Sequence, residues 1–183
     1  METNVVIKAL YEHYKKALNE EKKDQTKCEH LFISGSIISC GTVDCSITDF
    51  PESVYGFAVK VEKDKKEEVF KKLFESNNNA QKRCKHNQII AKKADEWLPL
   101  GGSDYYPLYW GKSKYLMYRI FEHTKSHVGV GSLWLHRNKA LEGRNVIFGS
   151  ILCYFSEDIE KSLQNSYKPI LKTHSEPKKE KNS

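Results

Sequence analysis

The run NVIFGSILCYF, residues 145–155, limits what this chain can become more than any other stretch. It carries no charge and is rich in branched and aromatic side chains. A helix crossing a bilayer needs about 20 apolar residues, so this run reads instead as a central strand with both faces covered. Ser156 follows as an N-cap, and Glu157 and Asp158 stand in the next turn, where the positive end of a helix dipole favours acids. The helix that begins there is expected to stop before Pro169, because a proline disfavours helical backbone at the residue before it.

Two other runs of strand length precede it, LFISGSII (31–38) and SVYGFAVKV (53–61), separated by a connection containing Gly, Thr, Asp and Pro. PLYWG (107–111) reads as a short strand after the loop LPLGGSDYYP. Helical spacing appears over 4–22, where Val6, Leu10, Tyr14 and Ala17/Leu18 recur on one side, and over 64–75, where Val69, Phe70, Leu73 and Phe74 do so. NNNAQKRCKHNQIIAKKADEW predicts an asparagine-rich break and then a second helix. A further helix is expected over 113–125. The fold class is therefore α/β (α+β): a small, mainly antiparallel sheet flanked by helices, with an N-terminal helix and a helical insertion over about 62–106. Residues 1–172 read as one domain, and 173–183, nearly devoid of apolar side chains, as a disordered basic tail.

The 183 residues carry a formal net charge of +6, with 39% hydrophobic and 30% charged residues, an ordinary balance for a soluble protein. The charge is clustered. KRCKHNQIIAKK (82–93) holds five lysines and arginines and no acid, and 111–127 holds four against one glutamate. Clustering of this kind favours phosphate contacts. With no apolar run long enough to span a membrane and no hydrophobic leader in METNVVIKAL, the expectation is a cytoplasmic protein with no membrane partner. Five cysteines, Cys28, Cys40, Cys45, Cys84 and Cys153, lack framework spacing and read as thiols. The pairs Cys28/His30 and Cys84/His86 offer zinc-type ligands without the usual two-residue spacer. A thiol or zinc protein built on Cys28, Cys40, Cys45 and Cys84 stands as one alternative.

The segment LYWGKSKYLMYRIFEH (108–123) joins an aromatic strand, a glycine turn and a helix. At about 3.6 residues per turn, Lys112, Tyr115, Arg119 and His123 fall on one polar side, next to an apolar stripe of Leu116, Met117, Ile120 and Phe121. Such a stripe is ordinarily a solvated helix face.

YWGKSKYLMYR, with Tyr109, Gly111 and Arg119 ten positions after the tyrosine, resembles the second motif of the GIY-YIG nuclease family. His123, four residues after Arg119, matches a position used by the type II restriction endonuclease branch. Ile159-Glu160 followed by Pro169 resembles the family's late metal-binding helix. The first motif falls on SVYGF, where Tyr55 alone of the three name residues is present. Two departures stand out: 53 residues lie between Tyr55 and Tyr109, where simple members have a short hairpin, and Lys172 stands where the family often has asparagine.

The resemblance implies a Mg²⁺-dependent (or Mn²⁺-dependent) endonuclease that hydrolyses phosphodiester bonds of double-stranded DNA, as a homodimer if both strands of a symmetric site are cut. It implies Glu160 as the metal ligand; a single carboxylate suits Mg²⁺, which keeps much of its water. Arg119 would stabilise transition-state charge, and His123 would accept or relay a proton. Tyr55 would be the general base, its pKa lowered by nearby positive charge, with Tyr109 orienting the attacking water. Lys112 and Lys114 at the turn, Lys172, and Lys82, Arg83 and Lys85 in the basic segment would contact phosphate. The alternative within this fold is a DNA-binding module without catalytic activity.

Overall fold

The structure, a computed structural model, describes residues 4–20, 31–36, 52–81, 90–124, 132–153 and 156–171. Within them the chain forms α1 (Val5–Glu20), β1 (Leu31–Ser36), β2 (Ser53–Lys60), α2 (Lys66–Gln81), β3 (Tyr105–Ser113), α3 (Leu116–Thr124), β4 (Val146–Leu152) and α4 (Ser156–Ser166). The strands make one antiparallel sheet in the order β1-β4-β2-β3. The strand expected to be central, β4, lies between β1 and β2. β2 buries seven of its eight residues, so both of its faces are covered, which is what its run of apolar and small side chains requires.

One face of the sheet carries Tyr55, Phe57 and Val59 of β2 and Val146, Phe148 and Leu152 of β4. Against it pack Val69, Phe70 and Leu73 of α2, Leu116 and Ile120 of α3, and Trp97. The insertion between β2 and β3 is thus part of the core and not an appendage. The other face carries Val54, Ala58, Trp110 and Ile151, covered by Val6, Ala9, Leu10 and Tyr14 of α1 and Ile159 and Leu163 of α4. Asn4 caps α1: its Oδ1 accepts from the backbone N–H groups of Val6 and Ile7, and its Nδ2 donates to the Phe148 carbonyl at 2.9 Å, fixing the helix to β4. The two buried tryptophans on β3 and before it are satisfied, Trp97 Nε1 donating to Pro107 O at 2.7 Å and Trp110 Nε1 to Tyr167 O at 2.9 Å.

Three local expectations are corrected. α2 runs through Asn77–Asn79 to Gln81 without a break, and the described part of the supposed second helix, from residue 90 on, holds only a 3-10 turn at Ala94–Glu96. Tertiary packing of Val69, Phe70 and Leu73 anchors α2 strongly enough to outweigh the poor helix propensity of asparagine. β3 begins at Tyr105, earlier than the loop residues suggested, because its first residues pair with Lys60 and Val59. α3 begins at Leu116, so Lys112 belongs to a strand and Tyr115 to the turn. Among the described residues no helix is long and apolar enough to cross a membrane. Cys28, Cys40, Cys45 and Cys84 lie outside the described residues, as does 173–183; Cys153 is buried against α1 and α4.

Ser150 sits opposite Tyr55 in the β2–β4 pairing, fully buried, and its hydroxyl has no hydrogen-bond partner among the described residues. A buried hydroxyl without a partner costs stability that alanine does not incur. Ser150→Ala is therefore expected to be neutral or to stabilise by up to about 1 kcal/mol in urea denaturation; a loss of that size would mean that the hydroxyl is bonded.

Candidate active site

Which face of the sheet Tyr109 occupies is decided by one residue. The β2–β3 register pairs Phe57 with Tyr109 but Ala58 with Pro107, leaving Leu108 as an extra residue, a bulge next to a proline that has no N–H to give the ladder. A one-residue slip exchanges the two faces of a strand. The bulge thereby puts Tyr109 and Gly111 on the Tyr55 side and sends Trp110 to the α1/α4 side. β3 then turns at Lys114 and Tyr115, and α3 brings His123 back over the same face.

Tyr55, Tyr109 and His123 form one aromatic cluster, with ring centroids 6.0 Å apart for the two tyrosines, 5.8 Å for Tyr55 and His123, and 5.3 Å for Tyr109 and His123. The Tyr55 hydroxyl lies 2.9 Å from His123 Nε2. The Leu133 backbone N–H donates to His123 Nδ1 at 3.1 Å. A backbone N–H is always a donor, so Nδ1 bears no hydrogen, and the neutral ring carries its proton on Nε2. His123 therefore donates to the Tyr55 oxygen. The phenolic hydrogen of Tyr55 is left to point elsewhere.

Burial pushes the His123 pKa down to about 3, assisted by the nearby Arg119 charge. The residue is completely buried. The expected proton acceptor on a solvated polar face is thus a neutral donor in the core, and the two groups meant to share its face are not on α3 at all. Tyr55 is also held opposite to expectation. Its pKa lies well above 10, raised first by burial and then by Tyr109, while the charge and hydrogen bonding of Arg119 act in the lowering direction without prevailing.

Arg119 is half-buried. Its Nη1 donates to Glu122 Oε2 at 2.6 Å, and Glu122 is itself buried. Burial works to lower the Arg119 pKa, but the Glu122 hydrogen bond and the nearby Tyr55, Glu122 and Tyr109 reverse that, and the net direction is upward. The guanidinium is therefore cationic at every working pH, held on one side by a carboxylate and set on the other beside two phenols. The sequence does not mark Glu122 as the partner of Arg119. Nor does it mark the segment Ser132–Leu133, where Ser132 Oγ donates to the Glu122 carbonyl and Leu133 fixes the histidine tautomer; no periodicity singles out these residues.

Gly111 makes the cluster possible. A Cβ built there would stand 2.5 Å from a Tyr109 ring carbon, 2.8 Å from the Tyr109 oxygen and 2.9 Å from the Tyr55 oxygen. Both hydroxyls thus converge over a position where a side chain is excluded. Gly111→Ala is expected to displace them and to cost about 1–3 kcal/mol of stability. An unchanged urea midpoint would contradict this packing.

Glu160 does not join the four. It projects from α4, which packs on the other face, and Gln164 Nε2 donates to its Oε1 at 3.2 Å. Its pKa is raised by burial; Lys112 acts to lower it, Glu157 and Glu52 to raise it, and Lys161 to lower it. Lys112, paired with Val54 on that same face, lies 3.6 Å from Glu157. Lys114 is exposed in the turn. Lys82, Arg83, Lys85 and Lys172 lie outside the described residues. Among the described residues no group of three or more His, Cys, Asp or Glu side chains is placed to hold a metal ion, so Glu160 offers a cation a single carboxylate.

No family model, curated protein or solved structure matches the chain. The functional reading therefore rests on the residues themselves.

Proposed function

We propose that this chain is a Mg²⁺-dependent (or Mn²⁺-dependent) DNA endonuclease of GIY-YIG type, hydrolysing phosphodiester bonds of double-stranded DNA in the cytoplasm, as the type II restriction branch does. The observation that carries the reading is the buried hydrogen bond from His123 to the Tyr55 oxygen, with the Tyr109 hydroxyl beside it above Gly111 and the Arg119 guanidinium near Tyr55. Desolvating a histidine, a guanidinium and two phenols together costs more than an apolar cluster of similar volume, so their presence in one place points to a task beyond packing.

Arg119 presents a permanent charge and planar donors to phosphate oxygens and stabilises the charge that builds on phosphorus. Tyr55 and Tyr109 orient the attacking water and the phosphate. A phenolate at Tyr55 would be met by two donors, the His123 Nε2–H and Arg119, which work against the burial that keeps the phenol neutral. His123 acts through Tyr55 as a positioning residue. The reading gives Mg²⁺ to Glu160, which stands with α1 and α4 and apart from Tyr55, Tyr109 and Arg119; when bound, the ion would supply Lewis-acid polarisation of a phosphate oxygen. Symmetric duplex sites favour a homodimer.

A second reading, a GIY-YIG-fold DNA-binding module without activity, draws on two particular observations: the high pKa of Tyr55 and the placement of Glu160 with elements of the other face. Supercoiled plasmid incubated with the parent chain, with and without Mg²⁺, and with Arg119→Ala and Glu160→Ala, separates the two. Cleavage that requires Mg²⁺ and both side chains supports the endonuclease. Binding without cutting by the parent chain leaves the module, and cutting undiminished in Glu160→Ala removes the metal assignment.

A further inference from the structure

Four large aromatic side chains are exposed around α3: Tyr115 at 76%, Tyr118 at 65%, Phe121 at 53% and Trp134 at 40%. The first three recur every third residue along the turn and helix, so they form a stripe on the outer side, while Leu116, Ile120 and His123 take the inner side. The aliphatic residues of α3 are covered and the exposed ones are rings. Lys114 is exposed at the start of the stripe and Arg119 is interleaved with it; the only acid of α3, Glu122, is buried and paired with Arg119.

Trp134 adds an independent observation. It is the only non-glycine residue with positive φ among those described, at 49°. A bulky side chain in left-handed backbone is strained and persists only where its surroundings impose it. Here they do: the Trp134 N–H donates to Ser132 Oγ at 3.2 Å, Ser132 Oγ donates to the Glu122 carbonyl, and the neighbouring Leu133 N–H holds His123. The same tie that fixes the His123 tautomer therefore presents an exposed indole. The Arg137 guanidinium lies 5.7 Å from its ring centroid.

We infer that this surface is a stacking platform for unstacked bases, and that the nucleic acid it takes carries a single-stranded or locally opened segment beside the phosphate held at Arg119. Flat π faces interleaved with cations match a strand whose bases are splayed out, and base-on-ring stacking of this kind is tolerant of sequence. An intact duplex hides its base faces and would meet only the cations. The inference rests on the proposed role of Arg119 as a phosphate ligand.

Binding is measured in EDTA, by anisotropy, with the whole chain and three labelled probes: a single-stranded oligonucleotide, the same sequence as a duplex, and a strand of abasic sites. The single strand is expected to bind most tightly and the abasic strand to fall to the level of phosphate contact alone. Tyr118→Ala and Trp134→Ala are each expected to weaken single-strand binding about tenfold, with Tyr118→Phe close to the parent. Of the three tryptophans, Trp97 and Trp110 are buried, so quenching of the exposed indole by the single strand reports stacking at Trp134. Arg119→Ala is expected to weaken all three probes.

Equal affinity for the single and abasic strands, or parental affinity in both alanine variants, overturns the platform. So does sedimentation showing that the patch instead joins two copies of the chain, released to monomers by Tyr118→Ala without loss of oligonucleotide binding. The reading of Arg119 fails separately, if Arg119→Ala leaves every probe unchanged. Base-dependent binding with no cleavage of any substrate in Mg²⁺ keeps the platform and removes the endonuclease.

Discussion

Lowering the pH from roughly 7 to roughly 4 is expected to cost this protein about 3 kcal/mol of stability through His123 alone. In the unfolded chain this imidazole takes up a proton near pH 6.5, whereas in the folded chain its pKa is about 3. Between those values the unfolded state binds one proton more, so stability rises with pH across the window and is lost as pH falls through it. Geometry gives the same direction. Protonation would place hydrogen on Nδ1, facing the Leu133 N–H, and would set a charge among Tyr55, Phe57 and Tyr109.

His123→Gln supplies the control. A glutamine amide keeps one acceptor and one donor but cannot titrate. Paired urea melts of parent and His123→Gln at the two pH values remove the parts common to both, including His13, whose pKa is lowered by burial and Lys16. The parent should lose about 3 kcal/mol more than the variant; identical losses would contradict the buried neutral imidazole.

Gly56→Ala is expected to destabilise the fold by roughly 3 kcal/mol or more. Gly56 pairs across the sheet with Trp110, and an added Cβ would stand 2.2 Å and 2.3 Å from two carbons of the Trp110 ring. That ring cannot swing aside cheaply. It is 1% exposed, packed among α1 and α4, and held by its hydrogen bond to the Tyr167 carbonyl. The shift falls instead on β2 and β3, so the Tyr55 and Tyr109 positions should move with it. A urea midpoint within about 1 kcal/mol of the parent would mean that the tryptophan does not lie over this glycine.

The sequence made the elements more legible than the surfaces they share. The uncharged run of β4 and the apolar spacing of α2 are properties of neighbours along the chain, and both elements formed around those residues, although α2 runs on past the expected asparagine break to Gln81. The segment from Tyr109 to His123 was also legible as strand, turn and helix. What escaped was parity. Leu108, one unpaired residue, decides that Tyr109 faces Tyr55 and that Trp110 does not, and nothing in PLYWG marks a bulge except the proline. A helix starting at Leu116 likewise takes Lys112 and Tyr115 off the expected polar face and lets His123 bury. The partners that set the histidine's tautomer and the arginine's charge, Leu133 and Glu122, are fixed by contacts that spacing does not encode. Glu160 shows the same limit, since which face α4 covers is a tertiary outcome.

The proposed role of Tyr55 is chemistry at a phosphodiester and not only filling the core, and Tyr55→Phe isolates that role because it removes one oxygen and leaves the ring. With plasmid and Mg²⁺, at matched folding by circular dichroism, that role predicts that Tyr55→Phe cuts about 10²- to 10⁴-fold more slowly than the parent. A Tyr55→Phe chain that cuts at the parental rate would contradict it.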